Sequence, residues 1–207
     1  MPWILDTLMG RVALDISGWW HPDHDLTKAN LSTWKAPDGP LLPVQIALNK
    51  APKVLPGLTS LATKMMFATD AAREILDRFE PGKLQFSPVI VHMPNGKVYG
   101  QPIHLLTLLP SCKVDGGLVV EKSDVKLIDN YRIPAGGGTY IDGKPYLRVT
   151  RDPPQLTWSR AVVGSRHLWA DSLLTSRILM SDQLYAALKA AGITGFQAQE
   201  SRFATEH

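Results

Sequence analysis

The chain has 207 residues, 44% of them hydrophobic and 20% charged, and 22 Lys and Arg against 19 Asp and Glu leave a net charge of +3. This is the composition of a folded protein with enough length to bury a sizeable core, and it excludes a disordered chain. No apolar run approaches the roughly 20 residues that a membrane-spanning helix needs, and one cysteine, Cys112, cannot form an internal disulfide.

The start, Met1-Pro2-Trp3-Ile4-Leu5-Asp6, lacks a basic stretch ahead of an apolar one, so no secretory leader is expected. The lone thiol suits a reducing cytosol. Basic residues are spread along the chain and interleaved with acids. A nucleic-acid binder would collect them into a stripe, so nucleic acid is not the expected partner.

Residues 1–60 are rich in breakers: Pro22, Pro37, Pro40, Pro43, Pro52 and Pro56, with Gly39 and Gly57. Proline fixes φ and removes a donor, so loops with short strands are expected there. Val44-Gln45-Ile46-Ala47-Leu48 is the best strand by alternation. Residues 61–80 read as a helix, with Thr69-Asp70 as its cap and Ala71, Ala72, Ile75, Leu76 and Phe79 at helical spacing. Asp70 and Glu74 near the start and Arg78 near the end suit the macrodipole, and Pro81-Gly82 stops the helix.

Residues 84–160 read mainly as β. Val89-Ile90-Val91 precedes a turn at Pro94-Asn95-Gly96. Ile103 to Leu109 and Leu118-Val119-Val120 are further apolar runs. Gly136-Gly137-Gly138 and Asp142-Gly143 mark turns beside Tyr140-Ile141 and Tyr146-Leu147-Arg148-Val149, and another strand is expected near Leu156 to Val163. Residues 181–192 read as a second helix: Ser181-Asp182 is the cap, Leu184, Ala187, Leu188 and Ala191 form the stripe, and Gly192 is the stop.

The two helices share a local pattern. Phe67-Ala68-Thr69-Asp70 can be laid on Leu179-Met180-Ser181-Asp182, and Leu76 then falls on Leu188. Leu84-Gln85-Phe86 falls on Phe196-Gln197-Ala198. Any capped helix entering a strand has this look, so the pattern is either generic or a structural repeat without chemistry. The expected fold is α+β: a mainly antiparallel sheet with two short capped helix–strand units, in a single domain over residues 1–207, loop-rich over 1–60.

Few motifs point to chemistry. His21-Pro22-Asp23-His24-Asp25 could supply zinc ligands, but Pro22 argues for a loop, and no clear third ligand follows. Trp19-Trp20 precedes it, and one or both fill the core or serve an interface. Cys112, after Pro110-Ser111, lacks a nucleophile's flanking signature and reads as a buried, inert thiol. No serine lies in a Gly-x-Ser-x-Gly elbow, and the triple glycine lacks the Lys-Ser/Thr of a phosphate loop. Asp23/Asp25 and Glu121/Asp124 are carboxylate pairs with nothing to mark them as acid–base groups. No catalytic residue, cofactor or metal site is assigned.

Three segments resemble a bacterial family of immunity proteins, the eleventh type, of polymorphic toxin systems. Met66-Phe67-Ala68-Thr69-Asp70 through Ile75-Leu76 and Phe86-Ser87-Pro88-Val89 is similar to its unit of apolar pair, Ser/Thr-acid cap, helix and Pro-Val strand. Ile103 to Leu109 with Val119-Val120-Glu121-Lys122-Ser123 resembles its strand and charged stretch closed by Ser. The third segment, Ile178 to Leu184 and Ala190-Ala191-Gly192-Ile193-Thr194-Gly195-Phe196, is the strongest of the three.

The resemblance covers residues 40–198 and implies an α+β cytoplasmic protein, with 61–207 as the immunity-like core, that binds and neutralises a cognate toxin effector in competition between bacteria. Residues 1–40 depart from the recognised pattern. Specificity needs features that relatives lack, so Trp19, Trp20, His21, Asp23, His24 and Asp25 are the expected partner contacts. Inhibitors of basic nucleases are usually acidic, so this slightly basic chain is expected to meet a neutral or acidic toxin or to bind by shape and apolar contact. The alternatives are a metal-dependent hydrolase built on His21 to Asp25, and a non-catalytic scaffold or adaptor.

Overall fold

Two large sheets, each with a helix packed on it, organise the chain in a computed structural model that describes residues 1–6, 16–20, 44–50, 54–60, 66–128, 132–135, 139–142, 145–174 and 177–205. The first elements are β1 (Pro2–Asp6), β2 (Ile16–Trp20), β3 (Val44–Leu48), β4 (Leu58–Ser60), β5 (Met66–Thr69) and helix α1 (Asp70–Phe79). Next come β6 (Leu84–His92), β7 (Ile103–Leu108), β8 (Lys113–Val114), β9 (Val125–Ile128), β10 (Arg132–Ala135), β11 (Thr139–Asp142), β12 (Tyr146–Val149) and β13 (Thr157–Trp158). The short helix α2 (Arg160–Val163), β14 (Leu168–Asp171), β15 (Ile178–Ser181), α3 (Asp182–Ala190), β16 (Gln197–Glu200) and β17 (Arg202–Phe203) follow. The fold is α+β and mostly antiparallel; the parallel pairs are β3–β6, β14–β8 and β13–β17.

One sheet has the order β2-β3-β6-β7-β5-β4 and the other β16-β1-β15-β14-β8. The internal pattern seen in the sequence is an architectural repeat. In the first unit a strand, β5, enters α1 and returns as β6, with β7 antiparallel between the two strands. In the second, β15 enters α3 and returns as β16, with β1 antiparallel between them. Strands β4 and β14 then flank β5 and β15, both antiparallel.

The equivalence holds to the residue. Ala68 pairs with His104, and Met180, its counterpart, pairs with Trp3. Phe86 pairs with Leu106, and Ala198 pairs with Leu5. Because side chains alternate along a strand, only a matched register puts His104 and Trp3 on the same, helix-bearing face of their sheets.

The two units also grip each other. The first strand residue of one unit, Leu58, donates its N–H to Thr194 O in the loop after α3. In the other unit Leu168 N–H donates to the Glu80 carboxylate just after α1. An apolar core joins both helices to one face of each sheet through Leu58, Ala68, Leu76, Leu106, Leu168, Met180, Leu184 and Leu188. Fully burying Leu184 or Leu188 contributes roughly 2 kcal/mol each. A second core, with Ile46, Phe67, Val91 and Leu105, lies on the opposite face of the first sheet. A third, around Trp158 and Trp169, lies on the opposite face of the second. Strand β7 serves two cores at once, and all six of its residues are buried.

Several expectations change at their boundaries. The first helix starts at Asp70, because Met66–Thr69 extends to pair with β7. Thr69 Oγ1 donates to Gly57 O and caps nothing, whereas Ser181 accepts from Leu184 N as expected. Only Thr157–Trp158 of the strand expected near Leu156 to Val163 is extended. Ser159 then accepts from Val162 N to start α2, and Gly164, at φ 62°, ends it. Of the apolar run Leu118-Val119-Val120, Leu118 bridges antiparallel to Trp158, and Val120 already begins a 3-10 turn over Val120–Lys122. The Asn95-Gly96 turn forms with Gly96 at φ 78°, closed by the Met93 and Lys97 backbones. Strands β10 and β11 pair on either side of the triple glycine, whose residues lie outside the described part.

Candidate partner-binding surface

The expected partner contacts fall on β2 and the segment after it. Trp19 and Trp20 form the end of β2, the first strand in the order of its sheet. Trp19 pairs with Ile46, which is buried, and Trp20 pairs with Gln45, whose side chain meets His92 Nε2 at 3.0 Å. The register shifts between Ile16 and Gly18. A break of this kind adds twist and blunts an edge against indiscriminate pairing. His21, Asp23, His24 and Asp25 lie outside the described residues.

The described histidines and the cysteine are tied into structural contacts. Cys112 is fully buried and its thiol donates to Lys83 O at 3.4 Å. Burial pushes that thiol up to about 11, with the nearby charge of Glu80 adding to the shift. A thiol held this firmly protonated is a poor nucleophile. His167 Nδ1 lies 2.8 Å from Ser181 Oγ, the cap of α3, and its ring meets Phe79 edge-on. Among the described residues no group of three His, Cys, Asp or Glu could hold a metal ion. Of the carboxylate pair Glu121/Asp124, Asp124 accepts from Gln155 N at 2.8 Å and is committed to the fold.

Two corners went unrecognised in the sequence, and the repeat relates them. At one, His104 Nε2 lies 2.6 Å from Asp70 Oδ1, at the start of α1. Phe86 meets the His104 ring edge-on, and the Arg73 guanidinium sits over Phe86 at 5.6 Å and 4.0 Å from Asp70. At the other corner, Trp3 Nε1 donates to Asp182 Oδ1 at 2.8 Å, at the start of α3. Tyr185 stacks on Trp3 at 4.2 Å, and Phe196 meets Tyr185 edge-on.

Taken alone, Asp70–His104 has the look of an acid–base pair. Its counterpart uses an indole, which cannot exchange a proton near neutral pH, in the same register position. The shared task is mechanical: a ring nitrogen on the central strand ties down the first acidic residue of the helix. No local motif could have revealed this, because the partners are 34 and 179 positions apart.

A family model described as the immunity protein family (Imm11) matches residues 12–201. The chain belongs to this family. As an Imm11 protein it has an immunity role, which implies a toxin as partner in general terms. A search among curated proteins found no match. The match also corrects an expectation: it begins at residue 12, so Trp19 to Asp25 lie inside the family's span and not in an extra segment. Trp19 to Asp25 are therefore not set apart by falling outside the family. What remains is two neighbouring tryptophans on a first strand. Among the described residues no helix is long and apolar enough to cross a membrane.

Proposed function

We propose that this chain is a cytoplasmic immunity protein that binds a cognate toxin effector of a polymorphic toxin system and neutralises it by occlusion, without catalysis. The observation that supports this reading is the family match across residues 12–201. The buried, protonated Cys112 and the committed histidines are in keeping with side chains spent on folding.

Trp19, Trp20, His21, Asp23, His24 and Asp25 are the proposed contacts, as a strand end and following segment rich in aromatic and charged groups. Tryptophan at an interface buries a large area at small entropic cost. The experiment is co-expression with the product of the adjacent effector gene, followed by pull-down and a survival assay. A stable complex and protected cells are expected, and alanine at the six positions weakens the complex while the thermal midpoint stays within a few degrees. Failure to form a complex together with failure to protect rejects the reading.

A further inference from the structure

The two corners differ in one chemically telling respect. In the first, the helix acid Asp70 has its own cation: Arg73 on the next turn, lying over the Phe86 ring. In the second, the residue equivalent to Arg73 is Tyr185, and the acid Asp182 has no ion pair among the described residues. Its Oδ1 accepts from the Trp3 indole, and no partner meets Oδ2 among the described residues.

A second carboxylate stands nearby. Glu200 is directly opposite Trp3 in the β1–β16 register, on the same face, exposed, and also without an ion pair among the described residues. Trp3, Tyr185 and Phe196 are each only half-buried. The corner therefore offers two carboxylates beside a stacked Trp–Tyr pair, with no cation ion-paired to either carboxylate among the described residues.

A guanidinium group fits such a setting on two counts. Its plane stacks on an aromatic face, and its fork of donors reaches a carboxylate oxygen. The first corner holds that combination within the chain. We propose that the Trp3–Asp182–Tyr185 corner, with Glu200 at its rim, receives an arginine side chain from the partner protein. The proposal rests on the reading of the chain as a binder. It adds a contact distinct from Trp19 to Asp25, and it is a local demand for one cation that a neutral or acidic partner can meet.

The test uses the full chain and a blocked Gly-Arg-Gly peptide, with the same peptide carrying neutral citrulline as control. The indole N–H resonance of Trp3, assigned by its loss in Trp3→Phe, is followed during titration. The arginine peptide is expected to shift it saturably and the citrulline peptide is not. Asp182→Asn weakens binding about fivefold and Glu200→Gln about twofold, as expected for exposed cation–π and ion-pair contacts. Glu200 is exposed on β16, the first strand in the order of its sheet, so its variant tests the charge without touching the helix start. Tyr185→Arg, which copies the Arg73 arrangement, abolishes the shift.

A response that is the same with citrulline, or unchanged in both Asp182→Asn and Glu200→Gln, overturns the proposal. Pull-down of the effector separates this inference from the proposed function. Capture by wild type but not by Tyr185→Arg supports the corner. Equal capture by Tyr185→Arg and Glu200→Gln removes the corner and leaves toxin binding standing. If wild type captures nothing, the toxin reading falls while the peptide titration still decides the corner.

Discussion

The two helix units are built on one plan and finished with different chemistry. Each runs strand, helix, strand, with a third strand threaded antiparallel between, and each fixes its helix start through a ring nitrogen on that threaded strand. In the first unit the threaded strand is β7, which follows within the same stretch of chain. In the second it is β1, from the opposite end of the sequence. The comparison teaches that backbone register carries the fold, because the register is preserved while His104 is exchanged for Trp3 and Arg73 for Tyr185. Side chains at the corners are then free to diverge, one set closing on itself and the other left open.

The grip between units is asymmetric, and this gives the largest expected effect. On one side the acceptor is a backbone carbonyl, Thr194 O, which no substitution removes. On the other it is the Glu80 carboxylate, 1% exposed, which accepts from His167 N, from Leu168 N at 2.9 Å and from Lys83 Nζ at 2.7 Å. Glu80→Ala leaves two backbone donors without a partner and should cost about 4 kcal/mol in urea unfolding. A loss under about 1 kcal/mol would show that the units do not depend on this lock.

The next test sets the halves side by side. Leu76 and Leu188 are equivalent and fully buried in the shared core. Alanine at either should cost about 3 kcal/mol. Values differing by more than about 2 kcal/mol would break the claim that the helices are matched in packing as well as in register.

Cys112 belongs to the first unit's side of the core and makes the comparison pH-dependent. Its thiol ionises near 11 when folded, against an ordinary value of 9.0. The folded chain thus keeps a proton that the unfolded chain releases first. The contribution is fully present below about pH 9 and is lost as pH rises toward 11, on the order of 2 kcal/mol in all. Cys112→Ala should flatten that part of the stability profile relative to wild type. An identical alkaline slope in both would contradict the assignment.

The smallest effect separates the caps. Ser181 accepts from Leu184 N, so Ser181→Ala should cost about 1 kcal/mol. Thr69 makes no such bond, and Thr69→Ala should cost about half as much, read from paired thermal melts. Equal losses would mean that the hydroxyls do the same job after all.

The parts legible in the sequence were those written locally. Ser181-Asp182 and Thr69-Asp70 announce helix starts through residue type and the periodic stripe behind them, and Val44–Leu48 announces itself by alternation. Asn95-Gly96 marks a turn through the backbone freedom that Gly96 uses at φ 78°. What the sequence withheld is long-range. Nothing in Pro2–Asp6 says that it will lie between β15 and β16. Leu168–Asp171 is too short to stand out, and its fully buried Asp171 disguises it; that carboxylate is satisfied by Leu118 N and Leu173 N. The open corner is a product of that pairing, so the proposed contact with the clearest chemistry was the one least visible beforehand.

The central claim is that the chain acts by occupying a toxin, and the most direct measurement is a titration of purified effector activity against equivalents of this protein. The account predicts activity falling linearly to an end point at one stoichiometric equivalent, with no further change on longer incubation. Progressive loss of toxin activity at well below one equivalent would mean turnover, and would contradict it.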